Sequence, residues 1–337
     1  MPKKLGVICF QNWKFFKDIY DNLKDNFEIQ SYDGYKPRLK MISDHEHVKG
    51  FIENRLVNKR KIDEIMKWSD VTFFEWASEF LKIGTHLPKS TPIVARLHRF
   101  EIFKYDNQID WDKLDMLVLV GKGMRRWVHE RIDIDESRTT VIYNAINTDK
   151  FKPILQSREM TYRLGILGDI IPRKRVYELV LAFKELLEIM PDYNLVLSVA
   201  GKMEGEYPEF VKNLIKRLDI EGKVILEGRV DDIVKWYNSI DIIVSHSMHE
   251  GAHLAVHEGK ACGCYPVSHW WDGVEEFLRE GQIYFTNAEF CEIVNNFYNM
   301  SEAKRETLRK QGREEVVSTY GLPIIVNKFQ KLFESLA

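Results

Sequence analysis

The chain has 337 residues, which at roughly 150 residues per domain points to two domains. Hydrophobic residues make up 45% and aromatics 12%, which excludes global disorder. Lys and Arg number 49 against 51 Asp and Glu, a net charge of −2, so a general electrostatic grip on nucleic acid is not expected and only a local basic patch is left to meet phosphate.

Met1-Pro2-Lys3-Lys4 leads straight into the apolar run Leu5–Phe10, which reads as a first strand and not as a signal peptide. Strand-like runs follow at Phe27–Tyr32, Val71–Trp76, Pro92–His98, Met116–Gly121 and Thr139–Asn144. Between them, Trp13–Lys24 places Phe16, Ile19, Tyr20 and Leu23 on one helical face, and His47–Trp68 and Lys122–Ile132 carry the same periodicity. The second half alternates more cleanly. Its strands are expected at Tyr162–Leu167, Asn194–Ala200, Lys223–Leu226, Ile240–His246, Tyr265–His269 and Gln282–Phe285, and its helices at Val176–Met190, Pro208–Leu218, Asp232–Asn238, Leu254–Cys262 and Ala288–Met300. This alternation argues for an α/β protein of two doubly wound, Rossmann-like parallel sheets. The expected division is residues 1–150, 151–318 and a C-terminal helix at 319–337 that packs back on the first domain, with Leu155-Gln156-Ser157-Arg158 as a polar linker. The longest apolar runs, such as Met116–Val120, fall far short of the ~20 residues that cross a bilayer. Four cysteines make no disulfide framework, so a reducing, cytoplasmic setting is expected, with peripheral membrane contact left open.

The most informative segment runs from Ser245 to Cys264 and lies between two strands, where open α/β sheets bind ligands. Glu250 and Glu258 are eight residues apart, about 12 Å along a helix axis. Gly251 lets backbone approach a ligand, and free N–H groups there favour an anion such as a diphosphate. The two glutamates are equally read as solvated residues of an ordinary helix. His249-Glu250-Gly251-Ala252-His253 also fits H-E-x-x-H, the pattern of a zinc hydrolase, if a helix runs through Gly251. A second element, Pro172-Arg173-Lys174-Arg175, follows the first strand of the second half. Three cations at a strand-to-helix turn suit a diphosphate leaving group, or form a solvated basic turn. Asn54–Lys61 is a further basic run, read as a solvated helix face or as a contact for an acidic glycan, phosphate or membrane. Trp270 and Trp271, directly after a strand, are candidates for stacking on sugars.

Together these pieces resemble the retaining nucleotide-sugar glycosyltransferases of the glycogen-synthase-like family, family 4. Val141-Ile142-Tyr143-Asn144-Ala145-Ile146-Asn147-Thr148-Asp149-Lys150-Phe151-Lys152-Pro153 resembles that family's linker motif. Pro172-Arg173-Lys174-Arg175 resembles its phosphate turn, Val224-Ile225-Leu226-Glu227-Gly228-Arg229-Val230 its V-x-F-x-G-x-V segment, and Glu250 to Glu258 its E-x7-E motif. Gly273-Val274-Glu275-Glu276 resembles the later G-x-x-E. The likeness is strong from Thr139 to Gly281 and loose before that.

The resemblance implies the GT-B fold, with the two domains facing a central cleft, and a hexosyltransferase that moves a sugar from a nucleoside-diphosphate donor to a glycan, lipid-linked or other hydroxyl acceptor. It implies retention, no metal and no cofactor beyond the donor substrate. By the same resemblance Glu250 contacts the donor sugar, Glu258 holds the ribose, and Lys174 with Arg173 stabilises the departing diphosphate. Backbone at Gly251, Ala252, His253 and Leu254 meets the diphosphate, Arg229 and Val230 flank the base, and His98 reaches the sugar from the first domain. Asp169 stands where the family carries an arginine, which leaves Arg173 or Arg175 to take its part. A non-catalytic GT-B subunit that binds glycan or nucleotide is the alternative, with the zinc hydrolase behind it.

Overall fold

The structure is a computed structural model that describes residues 2–10, 12–34, 44–154 and 159–337. It divides into two compact units, Met1–Ala145 with Leu322–Ala337, and Ile146–Gly321. Among the described residues the first unit holds β1 (Lys3–Cys9), β2 (Phe27–Tyr32), β3 (Val71–Glu75), β4 (Ile93–Leu97), β5 (Met116–Leu119) and β6 (Thr139–Val141). They pair in parallel in the order β2-β1-β3-β4-β5-β6, so the direction of winding reverses between β1 and β3. Its helices are α1 (Lys17–Leu23), α2 (Asp44–Trp68), α3 (Glu79–Thr85), α4 (Glu101–Lys104) and α5 (Gly123–Arg131). The sequence did not suggest α3 or α4, and α1 starts at Lys17 where the periodicity suggested Trp13. Residues 13–16 instead form a turn, in which the N–H groups of Phe16 and Lys17 both donate to the carbonyl of Trp13.

The second unit holds β7 (Arg163–Leu167), β8 (Val196–Ala200), β9 (Val224–Gly228), β10 (Ile242–Ser245), β11 (Tyr265–His269) and β12 (Ile283–Tyr284). The order β12-β11-β10-β7-β8-β9 is the doubly wound dinucleotide-fold order, with its switch point between β7 and β10. Around it lie α6 (Val176–Ile189), α7 (Tyr207–Arg217), α8 (Ile233–Tyr237), α9 (Leu254–Ala261), α10 (Asn287–Tyr298) and α11 (Glu302–Tyr320). Helix α6 shows how the pattern builds the layer. Val176, Leu179, Val180, Phe183 and Leu186 recur at three- and four-residue spacing and are buried against the strands. Helix α10 opens on a capping box in which Thr286 accepts from the Glu289 N–H and the Glu289 carboxylate accepts from the Thr286 N–H. Thr286→Ala should cost about 1 kcal/mol, read as a lowered urea midpoint with an unchanged slope.

The last helix, α12 (Leu322–Leu336), belongs to the first unit. Ile325, Phe329 and Phe333 are fully buried beside Phe16, Phe27 and Phe73. The division differs from the one expected at 150/151 and 318/319. Arg313 of α11 explains the first shift, because its guanidinium donates to the carbonyls of Phe151, Thr148 and Ala261 and ties residues 148–151 into the second unit. Ile146 also bridges Gly321, and its N–H donates to the Tyr320 carbonyl at 2.8 Å, so the two chain crossings lie side by side. Leu155–Arg158, the expected linker, lie outside the described residues.

Candidate functional site

Both sequence-derived elements of the second unit emerge at its switch point. Pro172–Lys174 form a single 3-10 turn between β7 and α6, and Arg175 closes it in the left-handed region at φ 53°. The turn rests on tightly fitted backbone. The Gly168 N–H donates to the Ala200 carbonyl at 2.9 Å, and the Gly201 N–H to the Gly228 carbonyl at 2.7 Å. Gly201 has φ +147°, and a Cβ there would stand 1.8 Å from the Gly168 oxygen. A backbone atom cannot yield that distance, so Gly201→Ala should lose about 3 kcal/mol of stability and displace the Arg173–Lys174 turn with it. The check is the melting temperature together with nucleotide binding.

The centre of the cluster is Glu250, in the irregular segment between β10 and α9. Its Oε1 accepts from Lys174 Nζ at 2.7 Å and from Arg173 Nη1 at 2.9 Å, with His253 Nε2 at 3.5 Å. Arg173 also donates to the His249 carbonyl, and the Met248 N–H returns a bond to the Arg173 carbonyl, so the two loops are laced together. Burial pushes the Glu250 pKa up, but Lys174, His253 and Arg173 outweigh it and hold the carboxyl well below its ordinary range. The carboxylate is ionised, and two cations with spare N–H donors converge on one small region.

His253 is buried, and burial together with Lys174 and Arg173 brings its pKa down to about 3 against the opposing pull of Glu250. It is therefore neutral. Ser245 Oγ lies 3.2 Å from its Nε2, and Nδ1 has no partner. The family resemblance gave only the His253 backbone a role; its side chain is part of the cluster. Helix α9 begins at Leu254, whose N–H donates to the Ala252 carbonyl, while Gly251 and Ala252 form the bend before it. Glu250 thus precedes the helix and Glu258 lies within it, where its Oε2 accepts from Tyr237 OH at 2.8 Å. Arg229 (exposed) and Val230 (half-buried) follow β9, beyond the Gly201–Gly228 bond.

This geometry corrects the zinc reading. His249, Glu250 and His253 are not on a helix, so the two histidines do not share a helical face, and the glutamate is committed to two cations. Among the described residues no group of three or more His, Cys, Asp or Glu is disposed to hold a metal. His257, one turn further on, is buried between Phe277 and Tyr320 with neither ring nitrogen bonded. Trp271 is also buried, which corrects its assignment as a sugar platform; Trp270 remains partly exposed beside Phe285. A histidine pair that the sequence did not single out closes the strand ends. His246 Nδ1 lies 2.6 Å from Tyr284 OH, and Arg175 donates to His269 Nε2 at 3.2 Å. Burial, then Arg175 and His269, bring the His246 pKa down to about 3.

In the first unit His98 follows β4. Its Nε2–H donates to Glu75 Oε1 at 2.9 Å, and its ring stacks on Trp76 at 4.0 Å. Glu75 ends β3 and is paired in register with Arg96, which grips both carboxylate oxygens at 2.6 and 2.8 Å. All of the Glu75 and Arg96 side chains are buried. Burial raises the Glu75 pKa, and Arg96 and His98 more than reverse it, so the carboxyl stays ionised. Trp76 holds a left-handed φ of 83°, and its Nε1 donates to the Asn12 carbonyl. Neither Glu75 nor Arg96 was singled out from the sequence; a charge inside each of two apolar strands is the signal that marks them.

Residues 147–315 match the profile of the family described as glycosyl transferases group 1. Among curated proteins, the chain is 23% identical over 256 residues to an uncharacterised glycosyltransferase of Methanocaldococcus jannaschii, covering 68% of this chain and 64% of that one. It is 27% identical over 258 residues to the N-acetyl-alpha-D-glucosaminyl L-malate synthase of Bacillus anthracis, covering 68% and 62%. The matches span less than two thirds of either relative's length. Among solved structures, Anabaena HepE in complex with UDP and glucose superposes with a TM-score of 0.78 at 14% identity, covering 99% of this chain and 100% of that one. Sucrose-phosphate synthase of Thermosynechococcus elongatus gives 0.75 at 12% identity, covering 99% of each chain. The shared feature at these identities is the fold, the GT-B pair of Rossmann-like domains.

Proposed function

The chain belongs to the group 1 glycosyl transferases, and from that membership we propose that it transfers a hexose from a nucleoside-diphosphate sugar to a hydroxyl acceptor with retention at the anomeric carbon. One observation carries this reading: Lys174 and Arg173 converge on the Glu250 carboxylate at the switch point of the second sheet. Two cations and the N-terminal end of α9 form an anion site, and the ionised Glu250 beside it supplies an acceptor for sugar hydroxyls. Lys174 and Arg173 neutralise the charge that grows on the departing diphosphate. The diphosphate oxygen takes the acceptor proton as the acceptor attacks on the same face. Glu258, held by Tyr237, accepts from the ribose. The Gly251 and Ala252 backbone meets the phosphates, and Arg229 and Val230 border the base. His98 is assigned a sugar contact on the resemblance alone. The charge is met by side chains, so no metal and no cofactor enters this scheme.

The acceptor in this reading is a glycan, a lipid-linked or another hydroxyl. The UDP bound in the HepE complexes makes uridine the first nucleotide to try. A ligand at about 100 times its Kd adds about 2.7 kcal/mol to stability. A melting-temperature rise with UDP that persists in chelator, and that Glu258→Ala weakens, supports the reading. No rise with uridine, guanosine or adenosine diphosphates overturns it. Asp169, exposed on the loop after β7 where the family carries a cation, favours a second reading, a binding subunit without turnover. Release of free sugar from a UDP-sugar by the purified chain discriminates against that reading.

A further inference from the structure

The second unit carries an aromatic pair at the carboxyl ends of β11 and β12. Trp270 follows β11 and Phe285 follows β12; they are 37% and 60% exposed, and their rings lie 5.8 Å apart at 21°, close to parallel. Both residues are held in place. The Trp270 Nε1–H donates to Glu275 Oε1 at 2.6 Å, and its backbone N–H donates to the Tyr284 carbonyl at 2.8 Å. The Phe285 N–H donates to the Glu289 carboxylate of the α10 capping box at 2.7 Å. Glu275 is exposed, and its second oxygen has no partner among the described residues, so an open hydrogen-bond acceptor stands at the edge of the indole. The pair also adjoins the cationic turn. Arg175, next in the chain to Lys174, donates to His269 Nε2 at 3.2 Å. That leaves the ring proton on Nδ1, which donates to the Trp270 carbonyl at 2.8 Å. In the sheet, β9 with Arg229 and Val230 lies to one side of β7, whereas β11 and β12 lie to the other, beyond β10. At about 4.8 Å per strand, the end of β12 stands about 10 Å from that of β10, within reach of a short oligosaccharide.

We propose that Trp270, Phe285 and Glu275 form a subsite for a neutral glycan acceptor, in which a pyranose ring lays its C–H face on the aromatic pair and donates hydroxyls to the open oxygen of Glu275. A pyranose has a flat apolar face and a rim of hydroxyls. The protein surface is its complement, a flat apolar area with a carboxylate at the edge. The Glu275 charge disfavours an acidic ligand at the same place, so the sugar is neutral. Both rings are fixed before the ligand arrives, which lowers the entropy that binding must overcome. A nucleobase is the poorer occupant, because the base is assigned to the β9 side of the switch point. Phe210 on α7 shows the contrast: it is 52% exposed, but among the described residues no ring stacks on it. The proposal rests on the transferase reading and narrows it. The acceptor is a chain of sugars, and a ring some distance from the reacting hydroxyl lies on Trp270.

The test is retention of the full chain on an array of neutral oligosaccharides, from monosaccharides upward, followed by calorimetric titration of the strongest. We expect retention that rises with ring number. Trp270→Ala should weaken the titrated affinity about tenfold with an unchanged melting temperature and unchanged UDP affinity. Phe285→Ala should weaken it in the same direction, Trp270→Phe should keep most of it, and Phe210→Ala should leave it as it was. No retention on any oligosaccharide overturns the proposal, as does binding undiminished in both Trp270→Ala and Phe285→Ala, or an equal loss in Phe210→Ala. So does a Trp270-dependent dimer in sedimentation velocity without glycan, which would make a second copy of the chain the occupant. UDP binding, measured on the same preparations, reports separately on the transferase reading: a chain that holds glycan through Trp270 but binds no nucleotide keeps the subsite and loses the transferase.

Discussion

Lys174→Ala should reduce the rate of sugar transfer by about 10²–10³-fold while leaving the fold intact. Lys174 is the nearest cation to Glu250, at 2.7 Å, and its side chain is 12% exposed, so it acts where water screens little. The scheme asks it to stabilise charge that develops on the diphosphate oxygens. Removing one preorganised donor of this kind costs about that factor. The loss should fall on kcat more than on UDP affinity, because the bridging oxygen gains charge only as the bond breaks. Lys174 is also the largest single influence that holds the Glu250 carboxyl ionised, so the variant should shift the acid limb of the rate profile upward. A Lys174→Ala enzyme with full kcat would remove the turn from the mechanism.

Acid should unfold the second unit earlier than carboxylate protonation alone predicts. His246 and His253 have folded pKa values of about 3, against 6.5 when exposed. Burial also holds His257 well below its ordinary value. Below about pH 6.5 the unfolded chain takes up these protons and the folded chain does not. The stability present at pH 7 is therefore lost progressively as pH falls from 6.5 toward 3, by about 2 kcal/mol each for His246 and His253 at pH 5. His257 adds in the same direction, so its replacement gives a clean check. His257→Leu removes a ring with two unbonded nitrogens from an apolar site between Phe277 and Tyr320, so it should be near neutral at pH 7.5 and stabilising at pH 5. Urea midpoints of both proteins across that range decide the matter; parallel pH curves would show that His257 does not titrate as argued.

The sheets were legible because buried parallel strands write themselves as short apolar runs. Phe27–Tyr32 and Tyr265–His269 stand as expected to the residue, and the other strands differ by a few residues at their ends. Short helices with little apolar period, α3 and α4, left no such trace. At the site, spacing placed Glu250 ahead of a helix and Glu258 on it, but no spacing says that Arg173 and Lys174 meet Glu250 across 76 or 77 residues. That pairing belongs to the β7–β10 neighbourhood, a tertiary fact. Glu75 and Arg96 make the same point. They are 21 residues apart and become partners only through the β3–β4 register. The expected division at 150/151 rested on a local break in pattern, whereas the compact units meet at Ala145/Ile146, where Arg313, more than 150 residues later, ties residues 148–151 to the second unit.

The return of α12 to the first unit sets an order of events during synthesis. A ribosome delivers Phe16, Phe27 and Phe73 early, yet Ile325, Phe329 and Phe333, which complete their cluster, come after the whole of Ile146–Gly321. The second unit is an uninterrupted stretch and can close as soon as it emerges. The first must wait, with an apolar face uncovered, until the ribosome has passed the second unit and made Leu322–Leu336. Its nascent form is thus the client that a chaperone would hold, and stop codons or proteolytic cuts near residue 320 would damage the beginning of the protein more than the segment next to them.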